Sequence, residues 1–100
     1  MERYQYARAV EKMMEAIPKE IGERKFHSEK HAYACSAEEK YAHCKYLLNN
    51  VLSLFDIGKK EKASRHLAFA QALLWTQSKF SIKELMEANM PDEAEFSEYK

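Results

Sequence analysis

The chain is poor in the residues that make turns. Two glycines and two prolines among 100 residues leave too little punctuation for a many-stranded sheet and favour a few long helices. Cysteine is scarce as well. Cys35 and Cys44 do not have the two-residue gap of a redox pair, and two thiols without a secretory signal are expected to stay reduced. No run approaches the roughly 18 consecutive apolar residues of a membrane-spanning helix. Met1, Glu2, Arg3 and Tyr4 open the sequence without the apolar core of a signal peptide, so a cytoplasmic protein with no membrane partner is expected. Neither sign of charge is in excess. Sixteen basic and sixteen acidic residues cancel, which removes the global electrostatic case for nucleic acid.

What the chain does have is a composition suited to one folded domain. At 46% hydrophobic and 32% charged residues it lies far from the disordered range. Its length is near the size at which oligomerisation often supplements a small core.

Three stretches carry apolar residues at alternating steps of three and four, the spacing of helices that pack along a seam. The first is Ala7, Val10, Met14, Ile17 and Ile21, interrupted by Pro18 and followed by Gly22, so a break is expected there. The second is Ala37, Tyr41, Cys44, Leu48, Val51 and Phe55, and the third is Ala63, Leu67, Ala70, Leu74 and Gln77. Between these two lies Asp56-Ile57-Gly58-Lys59, where Gly58 can take the left-handed conformation that ends a helix. The second helix has two possible starts. It extends back to about residue 23, or it begins at Ser36, which forms a capping box with Glu39. Ser81 and Glu84 form another box, with Phe80 and Leu85 at the positions of a hydrophobic staple, and Pro91 stops the helix that follows.

The expected fold is therefore all-α. It comprises an N-terminal helix, a long antiparallel helical hairpin over about 23/36–55 and 60–79, and a short C-terminal helix over 82–89. Residues 1–91 form the domain. Residues 92–100 hold four acids against one base and read as a frayed acidic tail.

The most informative stretch is residues 67–75, with Gln71 its single polar side chain. A helix that is apolar all round must be covered all round, and a short chain has few helices to do it. Ala63, Leu67, Ala70 and Leu74 share the face that pairs within the hairpin. Ala68, Ala72 and Trp75 fall at i, i+4 and i+7 on another face, with Phe69 beside them. Two alanines one turn apart admit a close neighbour, and a tryptophan is the kind of anchor that dominates interface energetics. These four residues are the expected contact between chains. The competing reading covers them with the N-terminal helix of the same chain.

Two further groups of side chains invite chemistry. His27, His31, Cys35, Glu39 and His43 recur every four residues and are all metal-ligand types. On one helix, however, His27 and Cys35 stand roughly 12 Å apart along the axis, so one helix supplies only two ligands; a mixed surface stripe is the favoured reading, with His27, His31 and Cys35 the candidate ligands and His31 with Cys35 the pair to test. After Gly58, the side chains of Lys59, Lys60, Lys62 and Arg65 gather near a helix start whose free N–H groups suit an anion. Solvated lysines at a hairpin tip are the commoner case. No Gly-rich phosphate loop occurs, and neither Ser36 nor Cys35 has a base oriented by a third group. A non-enzymatic chain without a cofactor is expected.

The run from Gly58-Lys59-Lys60-Glu61-Lys62-Ala63-Ser64-Arg65-His66-Leu67 through Leu74-Trp75 and Ser81-Ile82-Lys83-Glu84-Leu85 to Asn89-Met90-Pro91 resembles a segment of small phage-encoded helical proteins of unassigned role. The resemblance implies action in the cytoplasm of an infected bacterium, as an adaptor or inhibitor of host machinery, including defence systems. In outline the chain is also similar to cyclic-nucleotide sponges, which are symmetric oligomers built from a short helix and a long hairpin. No ligand-site residues carry over from that group. The expected function is thus a homo-oligomeric interaction module with a host or phage partner, the alternative being a protein that sequesters a phosphate-bearing nucleotide between subunits.

Overall fold

A computed structural model describes residues 1–25, 35–77 and 79–89. The architecture is all-helical: α1 (Arg3–Glu15), α2 (Ala37–Asp56), α3 (Lys60–Thr76) and α4 (Ile82–Ala88), with no strand among the described residues. Each boundary has a local cause. Glu2 donates its backbone N–H to Gln5 Oε1 at 2.6 Å, opening α1. Ser36 Oγ accepts from Glu39 N at 3.1 Å while Glu39 Oε1 accepts from Ser36 N, the reciprocal pair that satisfies otherwise orphaned N–H groups. The same box, Ser81 with Glu84, opens α4.

Helix α2 therefore starts afresh at Ser36, and the alternative start near residue 23 is overturned. Residues 23–25 are not helical, and Ser36 is extended at φ −71°, ψ 165°. Residues 21–24 lie on α2 instead. Arg24 N donates to Ala42 O at 3.0 Å, Lys45 Nζ to Ile21 O at 2.9 Å and Asn49 Nδ2 to Glu23 Oε2 at 3.2 Å. The acidic tail 92–100 lies outside the described residues.

The hairpin turns at Gly58, which has φ +84°. Lys59 N donates to Leu54 O at 2.9 Å and Gly58 N to Phe55 O at 3.0 Å, the two bonds of a Schellman motif that satisfy the last carbonyls of α2. An added Cβ at Gly58 meets nothing within 4 Å, so the cost of a side chain there is purely conformational. Gly58→Ala is expected to cost about 1 kcal/mol. In a thermal melt this reads as a Tm lowered by roughly 4–8 °C.

The antiparallel pairing of α2 with α3 makes most of the core. Cys44, Leu47, Leu48 and Val51 of α2 meet Ala63, Leu67, Ala70 and Leu74 of α3, and Cys44 Sγ lies 3.5 Å from Ala70 O. Helix α1 lies across the pair and adds Tyr6, Ala9 and Met13, followed by Ile17 beyond its end. This corrects the phase expected for the first helix. Ala7, Val10, Met14 and Ile21 are only half-buried, and the core face is the one that begins at Tyr6. Tyr6 can be buried because its hydroxyl hydrogen-bonds Ser64 Oγ. In α2, Ala37 is exposed, whereas Tyr41 and Phe55 pack against the rim of the core.

Helix α3 ends at Thr76, three residues short of the expected 79, with Gln77 as its C-cap. A reciprocal amide pair, Gln71 Nε2 to Asn89 Oδ1 at 2.8 Å and Asn89 Nδ2 to Gln71 Oε1 at 3.2 Å, fixes the end of α4 to α3. Phe80 and Leu85 both pack against the core, as the staple positions require. At the opposite end Arg3 grips Asp56 in a bidentate pair at 2.8 and 3.0 Å. That pair is solvent-exposed and so contributes little to stability.

Candidate functional site

The hairpin buries one side of α3 and leaves another bare. Ala63, Leu67, Ala70, Gln71 and Leu74 are buried. Ala68, Phe69, Ala72 and Trp75 are all exposed, and the two aromatics are 52% and 49% exposed. Helix α1 packs on the hairpin without covering them. At about 100° per residue, Trp75, Ala68 and Ala72 fall within one 60° sector, and Phe69 flanks it. The arrangement is a lane of two small residues one turn apart, bordered by two rings. Isolated exposed apolar side chains are ordinary; two half-exposed aromatics on one helix, around a strip with no charge in it, form an exposed apolar patch.

Phe69 also borders a second feature, a cleft between α2 and α3. It has a volume of about 230 Å³ and is lined by His43, Leu47, Lys62, Arg65, His66 and Phe69. The His43 ring lies edge-on to Phe69, centroids 5.8 Å apart, and stacks on Tyr46 at 5.9 Å. Lys25 Nζ is 5.9 Å from the Tyr46 centroid, on the same side of α2. Both imidazoles are held below the ordinary histidine range. For His43 the causes are burial, then the charges of His66 and Lys25; for His66 they are burial, then Lys62 and Arg65.

A depressed histidine pKa links folding to pH. Between the folded value and the ordinary histidine value of 6.5 the unfolded chain binds more protons than the folded one, so stability is full above about pH 6.5 and is lost as pH falls through the folded values. The Tm is expected to fall between pH 7.5 and 5.5, and replacing both histidines by Gln should flatten that dependence. An unchanged slope in the double variant would place the linkage elsewhere.

Lys59, Lys60, Lys62 and Arg65, expected as an anion-binding group, do line one depression, with Gly58 and Glu61, of about 420 Å³. Lys62 and Arg65 therefore face both the tip and the cleft. The metal-ligand stripe fares differently. His27 and His31 lie outside the described residues, and Cys35 precedes the cap of α2, so the single helix that would have carried all five side chains is broken at Ser36. Among the described residues no three His, Cys, Asp or Glu side chains are grouped to hold a metal ion. Cys44 is fully buried, and burial pushes its thiol up to about 12, out of the reactive range.

The His43–His66 pair was not legible in the sequence as a pair. Its signal is the hairpin register. With the turn at Gly58, Cys44 meets Ala70 and His43 meets Phe69, which brings His66, one turn before Phe69, to the same cleft. No helix among the described residues is long and apolar enough to cross a membrane. Comparison with protein-family models, with curated proteins and with solved structures finds no match for this chain.

Proposed function

We propose that this chain is a non-enzymatic, homo-oligomeric interaction module that assembles through the outer face of α3. The observation that carries the reading is the half exposure of Phe69 and Trp75 around the lane of Ala68 and Ala72. A second copy suits this face. A two-fold axis between Ala68 and Ala72 sets the alanines of the two copies against one another, lets the helices approach closely, and leaves a Trp75 ring at each end of the contact. The zero net charge adds no general repulsion between copies. Four residues a side make a small contact, well below the roughly 800 Å² per partner of a stable complex, so assembly is of the reversible, concentration-dependent kind.

In the cell, the resemblance of residues 58–91 to small phage-encoded helical proteins supports an adaptor or inhibitor of a host protein, acting in the bacterial cytoplasm. The surfaces left open by assembly would engage that partner. Sedimentation over a concentration series tests the first step: the mass should rise from one copy to two as concentration rises from about 1 to several hundred micromolar, the range of weak contacts. A single-copy mass throughout that range would refute assembly.

A further inference from the structure

We propose that the cleft between α2 and α3 binds a small phosphate monoester bearing a planar ring, with Lys62 and Arg65 holding the phosphate, His43 and His66 donating to it, and Phe69 and Leu47 forming the apolar wall. This site borders the assembly face described above, with which it shares Phe69. It is formed within one chain.

The composition of the cleft carries the inference. Its described lining residues include two permanent cations, two imidazoles and no carboxylate, and Lys25 adds a further positive charge that reaches His43. Among the described residues, the charged and titratable groups that act on the imidazoles or line the cleft with them include Lys25 ahead of α2, His43 on α2, and Lys62, Arg65 and His66 on α3. The charges of His66 and Lys25 on His43, those of Lys62 and Arg65 on His66, and burial all oppose charging the imidazoles. A bound anion reverses the sign of that interaction, because each imidazolium then gains a charge-assisted hydrogen bond. The same field works against a divalent cation, and two imidazoles are fewer than the three or four ligands zinc requires. The wider depression at the hairpin tip is a poorer candidate, since it includes Glu61 and offers no aromatic wall.

Size and shape narrow the ligand. About 230 Å³ is less than the roughly 300–1,000 Å³ of a pocket for drug-sized molecules, yet it is more room than a bare phosphate needs. Phe69 is already edge-on to His43 and keeps about half of its surface free, which leaves a face for a ring. Arg65 supplies the forked donors that match phosphate oxygens, and Lys62 a point charge.

The test is a titration of the full chain with phenyl phosphate and, separately, with inorganic phosphate, at low salt. Binding is read by calorimetry and by the C2 protons of the imidazoles, assigned with His43→Gln and His66→Gln. Phenyl phosphate should bind at least about tenfold more tightly than inorganic phosphate, the value of one aromatic contact. Saturation should raise the pKa of both imidazoles. Lys62→Ala or Arg65→Ala should each weaken binding about tenfold or more, the loss of a charge-assisted bond, while Lys59→Ala with Lys60→Ala should leave it within about twofold, as expected for solvated charges outside the cleft. All four positions are exposed, so the variants keep the fold. The Trp75→Asp variant should bind as the natural chain does, which separates this site from assembly. Imidazole signals that stay still at about 10 mM phenyl phosphate, far above any useful affinity, would overturn the proposal. So would equal losses in the Lys59/Lys60 variant, equal affinity for inorganic phosphate, loss of binding in Trp75→Asp, or tighter binding of an oligonucleotide in the same cleft.

Discussion

Trp75→Asp is expected to convert the assembled protein into a folded monomer. The side chain is half exposed in the single chain, about 100° around α3 from the fully buried Leu74, so its loss removes little from the internal core. Its loss from a two-fold contact is counted twice, once from each copy. Hot-spot tryptophans typically contribute about 2 kcal/mol or more to an interface, so the pair amounts to about 4 kcal/mol, close to a thousandfold in dissociation constant. An unpaired carboxylate at each end adds a desolvation cost. Sedimentation should give the mass of one chain at every concentration, with a Tm within a few degrees of the natural chain's melt under dilute conditions. Trp75 is the only tryptophan, so its emission reports this face alone. It should shift to the red and become open to quencher when the natural protein is diluted. A variant that fails to fold would assign the face to the internal core, and a variant that still assembles would move the contact off α3.

The boundaries of this fold were legible where the code is local. Ser36 with Glu39, Ser81 with Glu84 and Gly58 act within one turn of chain, and each terminates or opens a helix where its residue type predicts. The seam of the hairpin was legible for a related reason. Cys44, Leu48 and Val51 on one side and Ala63, Leu67, Ala70 and Leu74 on the other repeat at the helical period, and all are buried. The four residues expected at a contact between chains are all exposed, which leaves that face available for the proposed assembly.

What escaped the sequence depends on partners far along the chain. The first helix was misphased because Tyr6 and Gln5 look polar at one end, whereas Tyr6 is buried with its hydroxyl on Ser64, and Gln5 is buried too. Gln71 is the one polar residue in the apolar run, so periodicity would turn it outward. It is buried at 8% exposure because Asn89 completes its amide. His43 and His66 share a cleft only once the register of the hairpin is fixed. In each case a hydrogen-bond or ring partner from another element reverses the preference that hydropathy assigns, and hydropathy carries no record of that partner.

Leu74→Ala should do to the fold what Trp75→Asp does to the assembly. Leu74 is fully buried among the residues of the hairpin core, and α1 covers that core from above. Truncation removes the transfer free energy of its methyl groups and leaves a cavity that helices pinned by the Gly58 turn and by the Gln71–Asn89 pair cannot readily close. A loss of about 3 kcal/mol is expected, within the range measured for buried leucines. For a domain of this length that lowers the Tm by roughly 12–24 °C, and it takes a large part of a total stability that is typically only about 5–15 kcal/mol. Trp75→Ala, one residue along, should leave the dilute-solution Tm nearly unchanged. The contrast between neighbours is the discriminating measurement, since a helix buried all round by its own chain would lose stability at both positions. Chemical denaturation should give Leu74→Ala a lower midpoint with an unaltered slope, because the surface exposed on unfolding stays almost the same. A Leu74→Ala melt within about 3 °C of the natural chain, less than 1 kcal/mol for this size, would mean that Leu74 is not a core residue and that α3 packs by a different face.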